Sequence, residues 1–281
     1  MGKLFIAGNG FDIAHKMKTS YQDFYSFLEL AQHVCEITKR ENASLSWDNL
    51  KQDDKERIKE NEWLNQFPTE TIKVNIIKYL LKSNNKKKTS YKSYNAWNIY
   101  VKYMENNQLL AYLMKTRIGI EDGLVAIINQ GNIKAEQLLC ELIEVTRTFI
   151  YYMKIVVFEC YAQEYYTMNH KRNSFTVIST YDKIAEELET TIKILNFNFT
   201  NLFDLYGKGK LNKEVNGTVK DYTLIFGVNG SVILDNGKRI DDTDYRILTK
   251  EYIKGLFHAA NSQLFSGSGN DEIRELMDDI G

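Results

Sequence analysis

The residues near the start of the chain have types and spacing that suit anion binding. An apolar run, Leu4 to Ala7, is followed by Gly8-Asn9-Gly10 and then by Asp12 and His15. A strand, a glycine turn and a helix can hold a phosphate group at the helix N-terminus, where free N–H groups and the helix dipole favour negative charge. Glycine permits a positive φ and a close approach to a ligand. The stretch therefore predicts a phosphate-binding turn with Asp12 and His15 beside it.

The glycine pattern alone leaves a second interpretation open. The dinucleotide fingerprint is G-x-G-x-x-G, and Ile13 stands where its third glycine belongs. The same residues could form a tight strand-to-helix turn without a ligand. In that case His15 is a buried histidine that pins the turn, and Asp12 is a turn or N-cap residue.

The composition bounds the class of protein. The chain has 281 residues, 43% of them apolar and 26% charged, which is enough for one large domain or for a core with an insertion. Its net charge of −1 provides no overall field that would attract nucleic acid or a membrane surface. The basic cluster Lys86-Lys87-Lys88 is short and is better explained as a surface loop than as a nucleic-acid site.

The cysteines and histidines give no sign of a disulfide framework or of a metal centre. Cys35, Cys140 and Cys160 lie far apart, and the four histidines lack the H-x-x-x-H spacing. The most apolar stretch, Phe149 to Ala162, is interrupted by two charged residues and does not read as a membrane span. We therefore expect a reduced cytoplasmic protein without a metal and without a membrane anchor.

Apolar periodicity predicts that most of the middle of the chain is helical. In residues 21–37, Phe24, Phe27 and Leu28 begin one apolar face, and Thr19 or Ser20 is a candidate N-cap. Further helices are predicted from Pro68 onward and for residues 97–115, 132–166, 245–263 and 271–279. The mixed charges of residues 38–66 indicate a solvated helix or loop.

Strand-like sequence returns only after residue 190. Residues 192–200, 214–219 and 222–226 read as strands, and residues 235–237, Asp-Asn-Gly, as a hairpin turn. We therefore predict a helix-rich α/β fold in which residues 1–30 and 190–281 form a core with a parallel sheet, and residues 31–189 form a helical insertion. Ligands of such sheets bind beyond the carboxyl ends of the strands. Three polar strand ends would meet there: Gly8-Asn9-Gly10, Asn198-Phe199-Thr200 and Asn216-Gly217.

Two blocks of the sequence resemble the AbiH family of bacteriophage abortive-infection proteins. Residues 8–15, followed by Thr19, Tyr21, Asp23 and Phe24, match the family opening N-G-F-D-x-A-H and T-x-Y-x-D-F. Residues 196–201 look like the second family block, F-N-Y-T-N. The resemblance implies a role in defence against phage, with a phage or host component as trigger.

At a greater distance the pattern looks sirtuin-like, which implies a Rossmann-like fold and a pocket for NAD or a related nucleotide. In that interpretation Asn198 orients water or the ribose, and Asp12 and His15 supply acid–base or ribose contacts. The remaining pocket residues are Gly8, Asn9, Gly10, Phe11, Thr200, Gly217 and Gly227.

One departure from the sirtuin pattern separates two functional hypotheses. Asn216 stands where a sirtuin has its general-base histidine, and an amide cannot take up a proton near neutral pH. In the first hypothesis Asn216 still lines the catalytic pocket, His15 or Asp12 replaces the base, and the protein hydrolyses NAD. In the second, the protein binds a nucleotide without cleaving it and senses phage through its helical insertion. Self-association into a homo-oligomer is compatible with both.

Overall fold

In the computed structural model, two compact units are distinguished. The structure describes residues 3–14, 17–41, 47–67, 69–81, 106–153, 156–157, 186, 188–189, 191–196, 212–214 and 224–256. The first unit comprises Met1–Lys87, Tyr94–Tyr100 and Ile150–Leu224, and the second comprises Lys88–Ser93, Val101–Phe149 and Ile225–Gly281. The predicted division into a core and an insertion, with boundaries at residues 30 and 190, stays a prediction.

A small parallel sheet joins the start of the chain to its later part. It consists of β1 (Lys3–Ala7), β2 (Thr191–Asn196) and β3 (Asn212–Glu214), in the order β1-β2-β3. Both pairs are parallel, and the register aligns the last residues of the strands, Ala7 with Asn196 and Asn196 with Glu214. The predicted pairing of the first strand with a strand beyond residue 190 is therefore confirmed.

One face of this sheet carries a small apolar core. Ala7, Ile194 and Leu188 are buried, and Phe5 and Phe11 pack against them. The alternation of side chains along β1 turns its other residues to the opposite face. There Leu4 is 53% exposed and Ile6 is 63% exposed.

The helices of the first unit pack around one long amphipathic helix. The helices are α1 (Asn9–Ala14), α2 (Tyr21–Glu41), α3 (Gln52–Lys59), α4 (Glu62–Asn65) and α5 (Glu70–Leu81), and Trp47–Asn49 form a 3₁₀ turn. The predicted apolar face of α2 is buried, including Phe24, Phe27 and Leu28. Helix α2 contacts α3, α4 and α5.

The described residues of 38–66 match the expected solvated helix over the charged run 51–57, which is exposed or half-buried, but bury single apolar residues elsewhere. Helix α2 continues to Glu41, and α3 and α4 bury Ile58, Trp63 and Leu64. Asn61 caps α4 by accepting a hydrogen bond from the Leu64 N–H at 2.9 Å. The segment carries too few apolar residues for a periodic signal, so its packing depends on single large side chains such as Trp63.

Three helices follow one another in the described residues 106–153. They are α6 (Gln108–Thr116), α7 (Ile120–Gln130) and α8 (Ala135–Tyr152), and the boundary between the two units falls within α8. Arg117 ends α6 with φ 58°, and Gly131 ends α7 with φ 66°. The predictions for residues 97–115 and 132–166 are confirmed over residues 108–115 and 135–152, while 97–105 and 158–166 lie outside the described residues.

A buried polar cluster fastens α6 to α8. Asn107, 2% exposed, accepts from the Leu110 N–H at 2.7 Å and donates through Nδ2 to the Glu141 carbonyl and the Glu144 carboxylate, each at 3.0 Å. The Glu141 carboxylate in turn accepts from the Leu109 N–H at 2.9 Å. A carboxylate at a helix N-terminus is stabilised by the free N–H groups and by the dipole of that helix.

Residues 224–256 contain turns and 3₁₀ helix where strand and continuous helix were predicted. The expected strand at 222–226 is wrong for residues 224–226, because the backbone makes only an isolated parallel bridge, from Val228 to Thr249. The 235–237 hairpin turn is confirmed: Gly237 has φ 79°, and the Leu234 N–H donates to the Lys238 carbonyl at 2.9 Å. A 3₁₀ helix, Asp244–Leu248, precedes an α-helix that starts at residue 250.

Candidate functional site

The N-terminal motif forms a strand-to-helix turn with a single residue between the two elements. β1 ends at Ala7 and α1 begins at Asn9, and the Phe11 N–H donates to the Gly8 carbonyl at 2.8 Å. Gly8 and Gly10 are both exposed, and no described residue has an atom within 4 Å of a Cβ added to either. The turn therefore leaves open space beside two glycines at the carboxyl end of β1.

The two glycines of the turn do not use the positive φ that glycine permits. The positive-φ glycines of the described residues are Gly131 and Gly237. Because α1 starts only two residues after β1 ends, Gly10 takes up helical backbone angles and no left-handed turn is needed. The absence of side chains at Gly8 and Gly10 thus creates space rather than a special backbone conformation.

Asp12 lies on the inner side of the same turn. Its exposure is 0%, and its carbonyl accepts from the Met17 N–H at 3.1 Å, which closes the end of α1. Phe11 is half-buried, and its ring lies 6.3 Å from that of Phe5 in an edge-on arrangement. The structure thus brings Gly8, Phe11 and Asp12 together, whereas His15 lies outside the described residues.

The three strand ends meet at one edge of the sheet, as their register requires. An asparagine stands two residues beyond the last residue of each strand: Asn9 after Ala7, Asn198 after Asn196 and Asn216 after Glu214. Four predicted site residues, Asn198, Thr200, Asn216 and Gly217, lie outside the described residues. Their assignment to the pocket stays a prediction.

Gly227 belongs to the second unit and has a packing explanation. It is buried, and a Cβ at this position would lie 2.9 Å from the Leu248 carbonyl oxygen and 3.1 Å from the Lys250 nitrogen. Two backbone segments approach each other there, and the Val228 N–H donates to the Leu248 carbonyl at 3.0 Å. Glycine is required by this close approach alone.

The second half of the motif builds the start of α2. Ser20 accepts from the Asp23 N–H at 3.1 Å and donates its hydroxyl to the Asp23 carboxylate at 2.6 Å, which confirms Ser20 as the N-cap. The other oxygen of Asp23 accepts from the indole N–H of Trp63 at 3.1 Å, and Lys18 Nζ lies 4.0 Å away. The S-x-x-D spacing could have revealed the cap, but no local signal links Trp63, 40 residues away, to Asp23.

Tyr152 anchors the connection between α1 and α2 and was missed as a site-related residue. Its hydroxyl donates to the Lys18 carbonyl at 2.6 Å, and its ring packs against Phe24, Phe27 and Trp63. Burial raises the pKa of Tyr152 well above its ordinary value, and the negative charge of Asp23 adds to the effect. The hydroxyl therefore remains protonated and able to donate.

The described part of the chain gives two further results on site chemistry. Among the described residues, no group of three or more histidine, cysteine, aspartate or glutamate side chains could hold a metal ion. Over the same residues, no helix has the length and apolar character needed to cross a bilayer.

A family match covers both the N-terminal turn and the later strands. The model for the family described as "Bacteriophage abortive infection AbiH" matches residues 4–266. The chain belongs to the AbiH family. The match confirms the family resemblance of the opening block, and the family is one of bacteriophage abortive-infection proteins. No curated protein and no solved structure matches this AbiH chain.

Proposed function

We propose that this AbiH protein is a cytoplasmic defence effector that binds a nucleotide at the carboxyl edge of its parallel sheet and hydrolyses it, with NAD as the leading candidate. The sheet and α1 would then be part of a Rossmann-like, sirtuin-like core. The observation that supports this most strongly is the aligned ending of three parallel strands, one of which continues directly into the exposed turn at Gly8 and Gly10.

Each pocket residue has a role that suits its chemistry. The N–H groups around Gly8, Asn9 and Gly10 would face phosphate oxygens, with Phe11 supporting the turn from within. In the later loops the pocket residues would be Asn198, Thr200, Asn216 and Gly217. An asparagine amide both donates and accepts, so Asn198 could hold a ribose hydroxyl or orient the attacking water.

The proposed reaction transfers water to the glycosidic bond of NAD. Water would attack the ribose carbon, the bond to nicotinamide would break, and ADP-ribose and nicotinamide would be released. Asn216 cannot accept the proton lost by water, so His15 or Asp12 would serve as the base. Because Asp12 is completely buried, its participation requires that substrate or water reach the inner side of the turn.

A pair of glycine-to-alanine variants tests the pocket. Gly10 and Gly255 are both helical and exposed, and at either position an added Cβ meets no atom of the described residues within 4 Å. Each alanine should raise stability by about 0.5–1 kcal/mol through the higher helix propensity of alanine. Only Gly10→Ala should weaken binding of NAD or ADP-ribose, measured by isothermal titration calorimetry, because only there does a ligand occupy the open space. Equal affinity in the two variants would show that the turn is not part of the nucleotide-binding site.

Turnover separates the enzyme from a second candidate, a nucleotide-binding sensor. The sensor is favoured by Asn216 in the position of the expected base. Purified protein, with and without extract of phage-infected cells, would be incubated with NAD and assayed for nicotinamide. Release that is lost in Asn198→Ala supports hydrolysis, whereas binding without release supports the sensor. If no nucleotide binds to the wild-type protein, both candidates fail.

A further inference from the structure

A short connection carries the chain from α1 into α2, and both of its ends are fixed by hydrogen bonds. At its start the Met17 N–H donates to the Asp12 carbonyl at 3.1 Å. At its end Ser20 caps α2. Met17 and Thr19, between these points, are 3% and 0% exposed. The geometry of this connection therefore determines how the end of α1, with Asp12, is held.

The middle of the connection is held by a residue from a distant part of the chain. The hydroxyl of Tyr152, 134 residues beyond Lys18, donates to the Lys18 carbonyl at 2.6 Å. The phenol is completely buried, and aromatic rings of α2 and α4 enclose it. The bond is partly buried, so without this donor the carbonyl must find water, move with its backbone or stay unpaired at a cost in free energy.

We propose that Tyr152 is a positioning residue for the N-terminal turn, acting through the Lys18 carbonyl and the Met17–Asp12 hydrogen bond on the orientation of Asp12. The inference rests on the proposed function in one respect: the turn must take part in the defence activity. The Tyr152 ring supports the aromatic core, and its hydroxyl sets the position of the connection.

The substitution Tyr152→Phe isolates the hydroxyl, because the ring and its packing are retained. Tyr252→Phe is the matched control: it makes the same change in the second unit, on a side chain that is 41% exposed. Backbone amide hydrogen exchange of the full-length variants, read for residues 11–19, measures the connection directly. Exchange in α5 reports on the stability of the unit as a whole.

In Tyr152→Phe we expect exchange in residues 11–19 to rise by about tenfold, with α5 unchanged, since the loss of a partly buried hydrogen bond lowers the local opening free energy. Protection of cells against phage should fall in the same variant. Tyr252→Phe should match the wild type in both measurements.

The proposal is overturned if exchange in residues 11–19 is unchanged in Tyr152→Phe, or if α5 loosens equally, which would mean a general loss of stability. It is also overturned if protection persists although the connection has loosened. These results are distinct from a failure of the proposed function. A wild-type protein that binds no nucleotide would refute the pocket, while a local exchange effect coupled to lost protection would still support Tyr152 as a positioning residue.

Discussion

Removal of the Asp23 carboxylate should destabilise the first unit without removing a catalytic group. Asp23 is part of the family motif, and a conventional interpretation would place a motif aspartate in the active site. In the structure both of its oxygens are engaged, one by the Ser20 hydroxyl at 2.6 Å and the other by the Trp63 indole at 3.1 Å. Its side chain is 16% exposed.

The size of the effect follows from these contacts. A hydrogen bond to a charged group contributes about 1.5–3 kcal/mol, and two bonds that share one carboxylate do not add fully. We therefore expect Asp23→Ala to lower the free energy of unfolding by about 3 kcal/mol, which corresponds to a fall in Tm of roughly 6–12 °C for a chain of this size. Asp23→Asn should lower the free energy of unfolding by about half as much, because one oxygen acceptor remains.

The assay compares stability with function. Unfolding would be followed by circular dichroism, and protection against phage would be measured at a temperature at which each variant is still folded. Both variants should then protect as well as the wild type, and Asp48→Asn, which changes an exposed carboxylate, should alter neither measurement. Loss of protection by an Asp23→Asn protein of nearly native Tm would refute a purely structural role.

Three further predictions concern other parts of the fold. Asn107→Ala should lower the free energy of unfolding by about 3 kcal/mol, measured by urea titration, because the helix cap and the two hydrogen bonds donated by Nδ2 are lost together. Asn107→Ser should retain part of the cap. Gly227→Ala should cost about 1–3 kcal/mol, because the added Cβ meets the Leu248 carbonyl; an unchanged Tm would show that the two backbones can separate freely. The Lys73 hydrogen bond lowers the pKa of Glu70, so Lys73→Met should raise that pKa in an NMR titration. Above the pKa that Glu70 has in the unfolded state, its lowered pKa in the folded state stabilises the protein, and this stabilisation is lost as the pH falls through the folded-state pKa. Because the pair is exposed to solvent, the loss in the free energy of unfolding should stay below about 0.5 kcal/mol.

The parts of the fold that rest on local pattern could be predicted from the sequence. The apolar face of α2, the N-cap at Ser20 and the turn at residues 235–237 each depend on residues a few positions apart. The strand that ends before Gly8 could also be predicted from local sequence. The parallel pairing of β1 with a strand beyond residue 190 followed from the sparse distribution of strand-like segments.

The parts that rest on distant contacts could not be predicted in this way. The link from Trp63 to Asp23 and the link from Tyr152 to the Lys18 carbonyl join residues with no periodic relation in the sequence. The start of α1 at Asn9 was not predicted, because the apolar periodicity that indicates a helix begins only at residue 21. For the pocket itself, the sequence names the residues that follow each strand, but residue types alone do not define their relative positions.

The register of the sheet also has a consequence for the order in which the chain folds. β1 is made first, yet its partner begins at Thr191. At a synthesis rate of about 5–20 residues per second, roughly 10–40 s pass before β2 has been made. During that time β1 must stay soluble without its native ladder, although its Leu4 and Ile6 are apolar. A nascent chain interrupted before residue 196 would keep the family motif but could not complete the sheet that supports it.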